Sequence, residues 1–430
     1  MYSMTMSKTA FALILLLLSC FNLPATSRAD DRVYVDITAS STRKINFAVP
    51  WFASTQGGQD QSKGKELADT LAKALEFHGV IGISPTAEYG GTQSANWRQL
   101  GVDYAVLGQF GLSGKNLSLE IRVLDIATDQ VLLGKSYTGT LQQQDEMLFK
   151  FCDSVIEALT GKPGIASTKI AFISYTRNAK EVYLTDILGH KLRQITRHRN
   201  LTVSPRFTPD GKMLSYTSYH SGNQNLYITD LSQSKTTRLI SKRKGMNLAP
   251  GWSPDGRYMI LTMSINGNPD LYLCDRNAKV IEQLTDRAGI NVSASWSPDG
   301  SQIVFVSDRS GKPHLYLMNL STRQVQRLTF EGSENSEPSW SPTENLIVYT
   351  SLRNGVYQVC TIKPDGSAGQ QLTDDLSHHE MPSWSPDGNQ IIFAKRGGNR
   401  HQIYAIMKNG SFQRPIFSFP GSNTYPRWSR

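Results

Sequence analysis

Two groups of residues carry the types that chemistry requires. One is the run His378-His379-Glu380, whose imidazoles and carboxylate are donors that metal sites use. Adjacent residues on extended backbone point to opposite sides, so the three do not converge on one ion, and the run reads as a solvated loop. The other group recurs at fixed spacing. Thr202, Asn247, Asn291, Asn335, His379 and Asn423 each stand five residues before an aromatic residue. Side chains of this kind donate and accept hydrogen bonds, and Asn also bonds local backbone in turns. The motifs of common catalysts are missing: there is no G-x-S-x-G elbow, H-E-x-x-H, paired C-x-x-C or G-x-x-x-x-G-K-[ST]. The expectation is therefore a protein that is not an enzyme, with no cofactor and no metal.

The aromatic residues that follow the polar group are Phe207, Trp252, Trp296, Trp340, Trp384 and Trp428, at spacings of 45, 44, 44, 44 and 44. A period of about 40–50 residues with strand patterning signals a β-propeller, one four-stranded blade per repeat. Each aromatic opens "SPDG" or a variant, then come an alternating strand such as "IVFVS", a Gly-containing turn, a strand such as "LYLMNL", and a last one near "RLT" or "QLT". In S-P-D-G, Pro presets the first turn position, Asp bonds the local backbone, and Gly accepts the left-handed conformation. The fifth copy reads "SPTEN", so a slightly different turn is expected there. "KIAFISY" at 169–175 begins the blades without a preceding aromatic phrase, while "YPRWS" at the other end lacks a sequel. Pairing these two segments closes six blades into a ring without an open sheet edge.

Residues 33–160 follow a different pattern. "SKGKELADTLAKALEFHG" is an amphipathic helix ending at Gly79, "SANWRQLG" (94–101) a short helix, "VDYAVLGQF" a buried strand, and "NLSLEIRVLDIATDQVLLGKSYTG" a hairpin. A last helix ends at Gly161, and residues 161–168 form a linker. The fold class is thus an α/β N-terminal domain, a mixed sheet with helices, followed by an all-β six-bladed propeller over 169–430. Lys8, the apolar run "AFALILLLLSCFNLPA" and the small-residue end "TSRA" predict a signal peptide over 1–29, cleaved after Ala29. A lipidated Cys20 is the alternative. Without residues 1–29 the chain has 43 basic and 36 acidic residues, formally +7. The basic stretches at 190–199 and 241–245 fit solvated loops or an acidic protein partner better than nucleic acid, which an exported protein rarely meets. Cys152, Cys274 and Cys360 are expected to be buried thiols without a bridge.

The six polar residues before the aromatics lie, in the usual propeller arrangement, where the chain drops into the innermost strand at one mouth of the channel. A ring of donors and acceptors there is one expectation; turn chemistry is the other. Neighbouring Met246, Ile290, Glu334, Glu337, His378, Glu380 and Tyr425 differ between blades, as an asymmetric protein partner requires.

This order of parts, with the phrases "LGVDYAVLGQF", "VLDIATDQVLLGKSY" and "EALTGKPGIASTKIAFIS", resembles the TolB family of the periplasmic Tol–Pal cell-envelope system over essentially the whole mature chain. The resemblance implies a non-enzymatic adaptor of the periplasm that supports outer-membrane integrity and constriction at cell division. It implies that the lipoprotein Pal binds the channel-mouth face, at Thr202, Met246, Asn247, Ile290, Asn291, Asn335, Glu337, His379, Glu380 and Asn423. It further implies that TolA binds a mobile N-terminal segment, Asp30, Asp31, Arg32, Val33, Tyr34, Val35 and Asp36, and that some members are exploited by colicins. Contact with the membrane is then only through partners. "GMNLAPGW" and "GINVSASW" depart from much of the family, in which small polar or His residues are common before the aromatic. A propeller module of a peptidase and a secreted propeller enzyme are the alternatives, and each lacks its catalytic motif here.

Overall fold

The computed structural model describes residues 43–56, 61–176, 178–232 and 236–429. The expected signal peptide over 1–29 and the segment Asp30–Asp36 lie outside the described residues.

The first domain is a mixed sheet with two helices on it. Its elements are β1 (Ile45–Ala48), β2 (Ala53–Ser54), α1 (Gln61–Phe77), β3 (Ile81–Ile83), β4 (Tyr104–Ser113), β5 (Asn116–Asp125), β6 (Gln130–Thr140) and α2 (Gln144–Thr160). The order is β3-β1-β4-β5-β6, with β2 also paired to β4. The pairs β1–β3 and β1–β4 are parallel, and β4–β5–β6 are antiparallel. α1 buries Leu67, Leu71 and Leu75, and α2 buries Leu148, Phe151, Val155 and Leu159, spacings that give each helix one apolar face. Gly64 lets α1 lie directly on the chain after β1, since a Cβ there would sit 2.1 Å from the Phe52 carbonyl oxygen. Gly161 ends α2 in the left-handed conformation at φ 68°. The segment 94–101 forms consecutive turns, closed by Val102 N–H to Trp97 O at 3.1 Å, and not the short helix its sequence suggests. Trp97 is buried against Tyr89, and that contact holds the turns in place.

From Lys169 the chain builds six four-stranded antiparallel sheets. Five run in sequence order, inner to outer. In the remaining blade, here blade 1, Ser422–Trp428 is the innermost strand and pairs antiparallel with Lys169–Thr176, Trp428 opposite Ile170. Lys169 N–H donates to Ser429 Oγ and Ser429 N–H to Lys169 O, both at 2.8 Å. Within blades, the S-P-D-G turn works as its chemistry predicts: Ser253 and Ser297 Oγ each donate to the turn Asp at 2.6 Å, and Gly256 and Gly300 take φ of 68° and 73°. In blade 5 Thr343 and Glu344 N–H donate to Ser341 Oγ instead, and Asn345 stays out of the left-handed region. Trp340 and Trp384 pack among Val304, Tyr349, Val348 and Phe393, the layers between blades. Cys152, Cys274 and Cys360 are buried and free, and burial pushes the Cys274 thiol up to about 12 and Cys360 up to about 11.

The domain and the ring meet at the end of α1. Phe77 lies edge-on to Trp428 at 5.8 Å, and its carbonyl accepts from Gln390 Nε2 at 3.1 Å and from Arg414 at 2.5 Å. Arg414 also stacks 4.3 Å over Phe412. A guanidinium at a helix C-terminus satisfies an orphan carbonyl and the negative dipole end together. Part of the basic stretch at 190–199 also has a use inside the molecule: His190 and Lys191 pair with Asp145 and Glu146 of α2 at 3.4 and 3.5 Å. Replacing Arg414 with Met keeps its apolar contacts and removes its bonds to Phe77 and Gln390. R414M is expected to lower stability by about 2 kcal/mol, read as a lower urea midpoint.

Candidate functional site

The innermost strands begin at one mouth of the channel and run to the Ser-Pro turns at the other. Each strand carries the same irregularity. The pairing register jumps within it, as between Val203 and Arg206, Val292 and Ser295, or Glu380 and Ser383. The residue three before the aromatic sits in this bulge with positive φ: Ser204 at 54°, Ser293 at 59°, Glu337 at 54°, Met381 at 62° and Tyr425 at 51°. None is Gly, and each left-handed non-Gly residue costs about 1–2 kcal/mol. No turn signature marks the position, so this feature was not readable in the sequence.

The bulge explains where the six polar residues go. Thr202, Asn247, Asn291, Asn335, His379 and Asn423 are all buried, with at most 2 % of their surface exposed. Asn247 Nδ2 donates to the carbonyls of Arg243 and Gly245 at 2.7 and 3.2 Å. Asn291 Nδ2 donates to Asp270 and Gly289 O at 3.0 and 2.8 Å, Asn335 Nδ2 to Glu331 O at 2.9 Å, and Asn423 Nδ2 to Phe419 O at 2.9 Å. The six side chains are thus closed off from solvent at the mouth, and Thr202 Oγ1, Asn335 Oδ1, Asn423 Oδ1 and His379 Nδ1 have no hydrogen-bond partner there. These amides hold the loop that enters each inner strand, because a buried turn carbonyl needs a donor. His379 replaces Asn in blade 6; its ring packs on Phe393, with Nε2 3.5 Å from Asp375, and burial lowers its basicity. His378 Nδ1 meets Tyr357 N–H at 3.2 Å and Glu380 faces His401 at 3.4 Å, so the His-His-Glu run diverges to three different partners.

What the mouth presents to solvent comes from the loops themselves. Ile290 is 45 % exposed, Phe330 73 % and Leu376 93 %, on the connections into the inner strands of blades 4, 5 and 6. Arg327 lies 4.9 Å over the Phe330 ring. A surface cavity of about 670 Å³ between the loops of blades 5 and 6 is bordered by Leu376, Arg353, Asp374 and Asp375. Met246 is half-buried beside Asn247. Phe330 and Leu376 were missed in the sequence, because a lone apolar residue in a polar loop has no periodicity.

Inside the channel the charges are uneven. Glu337 Oε2 accepts from Met381 N–H at 2.7 Å and Thr350 Oγ1 at 3.1 Å. Burial pushes its carboxyl up to about 7, and nearby Glu380 adds to the rise, while Arg206 opposes it. Burial likewise draws Arg206 down to about 10 and raises Tyr425 to about 12. The folded state keeps the Glu337 proton where the unfolded chain has released it. Stability drawn from this group therefore falls as pH rises from about 4.5 to about 7. Glu337→Gln is expected to remove that part of the slope, measured as urea midpoints across this pH range.

Comparison with known proteins places this geometry. A model of the "TolB beta propeller domain" matches residues 156–430, and one of the "TolB amino-terminal domain" matches residues 33–132. The "Tol-Pal system protein TolB" of Desulfotalea psychrophila is 58 % identical over 228 residues, 53 % of this chain and 52 % of that protein. The protein of the same name from Desulfosudis oleivorans is 36 % identical over 237 residues, 52 % of this chain and 53 % of its own. The chain thus spans about half the length of the curated relatives it matches. Among solved structures, that of TolB from Acinetobacter baumannii superposes with a TM-score of 0.79 at 27 % identity, over 92 % of this chain and 99 % of that one.

Proposed function

The chain belongs to the TolB family, and from that membership we propose that it is a periplasmic adaptor of the Tol–Pal system. In this reading it binds the lipoprotein Pal on the channel-mouth face and TolA through residues 30–36, and so supports outer-membrane integrity and constriction at division. The observation that carries the Pal half is the set of exposed apolar residues, Ile290, Phe330 and Leu376, on adjacent mouth loops. Large apolar side chains standing clear of a surface are what protein interfaces use as anchors, with charged groups at the rim. Rim charges are at hand: Arg353 pairs with Glu331 at 3.0 Å and Lys395 with Asp375 at 2.6 Å. Glu337, Glu380 and Met246 are half-buried on the same face, and Asn247, Asn291, Asn335 and Asn423 hold the loops that carry it.

Communication between the two partners requires that each favours one of two states of the chain. The proposal is that residues 30–36 are held against the protein in one state and released in the other, so that Pal and TolA binding are coupled.

Leu376→Glu and Phe330→Ala are each expected to weaken Pal binding about tenfold or more, the range of an interface anchor. Calorimetry reads the affinity, and thermal melts that match the wild type exclude unfolding. Undiminished affinity in both variants removes the mouth face from the interface. Deleting residues 30–36 is expected to abolish TolA binding while Pal binding stays measurable, and retained TolA affinity overturns that assignment.

A further inference from the structure

At the end of the channel away from the partner loops, a cavity of about 180 Å³ lies on the propeller axis. All six blades line it, through the residue just before each aromatic: Arg206, Gly251, Ser295, Ser339, Ser383 and Arg427. The remaining lining is aromatic rings, prolines, hydroxyls and Ala294, and no carboxylate is among it.

The two arginines come from neighbouring blades, on the strands Thr202–Phe207 and Ser422–Trp428. Neither forms an ion pair with a carboxylate among the described residues. Arg427 is 8 % exposed; its Nη1 donates to the carbonyls of Met381, Pro382 and Pro426 at 3.2, 3.3 and 2.8 Å, and its Nε has no partner. Arg206 has one long bond, to Pro205 O at 3.4 Å. Burying a guanidinium without a counter-charge is expensive, and two in one cavity also repel. The carboxylate that acts most on Arg206 is Glu337, itself engaged by Met381 and Thr350. One further donor in the lining is unused: Ser295 Oγ accepts from the Trp340 backbone N–H at 3.0 Å, which leaves its own proton free to be donated.

We propose that this cavity binds a tetrahedral oxyanion, phosphate or sulfate, between Arg206 and Arg427, with Ser295 as a further donor. Donors that converge from several blades around an axis suit an ion whose oxygens point in several directions. A planar carboxylate offers two. The volume is many times the ~10–15 Å³ that a single water needs. The site is separate from the adaptor reading, whose surface is at the other mouth.

Five tryptophans border the cavity, so indole fluorescence reports its occupancy directly. The full mature chain is titrated with inorganic phosphate and with sulfate at constant ionic strength, with chloride and acetate as controls. Thermal melts are recorded under the same conditions. Phosphate or sulfate is expected to raise the melting temperature and to change the fluorescence saturably, beyond either control. R206Q is expected to bind about tenfold or more weakly, and R206K to recover part of the loss. Should R206Q fail to fold, the comparison rests on R206K and on S295A. Glycerol 3-phosphate in place of phosphate distinguishes a free ion, which it does not replace, from a phosphoryl group on a larger molecule, which it does. Protection by chloride or acetate equal to that by phosphate overturns the proposal, as does unchanged phosphate affinity in R206Q and in the pair R206K and S295A.

Discussion

Ring closure is the constraint on which the rest depends. Six twisted sheets each bury one face against the next, and the series has no stable end unless the last pairs with the first. Here that pairing is a backbone ladder between Ser422–Trp428 and Lys169–Thr176, reinforced by the reciprocal bonds between Lys169 and Ser429. Contacts joining segments 260 residues apart pay their loop-closure entropy late, so the channel acquires its geometry only when the ring is complete. The bulges follow from the same constraint. The left-handed non-Gly residues of the bulges, Ser204, Ser293, Glu337, Met381 and Tyr425, each costing about 1–2 kcal/mol, persist because the closed ring over-determines the backbone around them.

Closure also fixes the first domain. Trp428 belongs to the closing strand, yet it lies against Phe77 at the end of α1, and its indole donates to Thr168 at 2.7 Å in the segment between the two domains. Buried residues of both parts form one apolar core, in which Phe77, Leu159 and Ile165 sit with Ile170, Ile392 and Trp428. His78 adds a polar tie there, its Nε2 accepting from Ile165 N–H at 3.1 Å. Burial lowers the basicity of this imidazole, which keeps it neutral and able to accept. The domain and the ring therefore share a boundary made of the residues that complete the ring.

The two ends of the channel differ in chemistry because the repeat tolerates variation where its turn does not need a given residue. The Ser-Pro-Asp-Gly turn and the aromatic are constrained in most blades. The residue just before the aromatic is constrained by neither, and it holds Arg in blades 1 and 2, Gly in blade 3 and Ser in blades 4 to 6. The mouth loops vary in the same way, which is how Phe330 and Leu376 come to stand out on blades 5 and 6. A near-symmetric scaffold thus presents an asymmetric surface at one end and a concentrated positive charge at the other.

The propeller, its blade count and its manner of closure were legible in the sequence, because period, turn residues and strand alternation are local signals that every blade repeats. Both helices of the first domain were legible for the same reason, while the turns at 94–101 were not, since Trp97 and Tyr89 decide them through a contact between segments. The candidate site was legible only in outline. The sequence points to the residues ahead of each aromatic, and Asn favours turns wherever it stands, but whether an amide serves a ligand or a buried carbonyl depends on what lies beside it in space. The backbone bulges, the burial of Thr202, Asn247, Asn291, Asn335, His379 and Asn423, and the meeting of Arg206 with Arg427 were decided by the tertiary structure alone. The physical reason is that burial and electrostatic environment belong to neighbours the closed ring brings together, and no spacing along the chain encodes them.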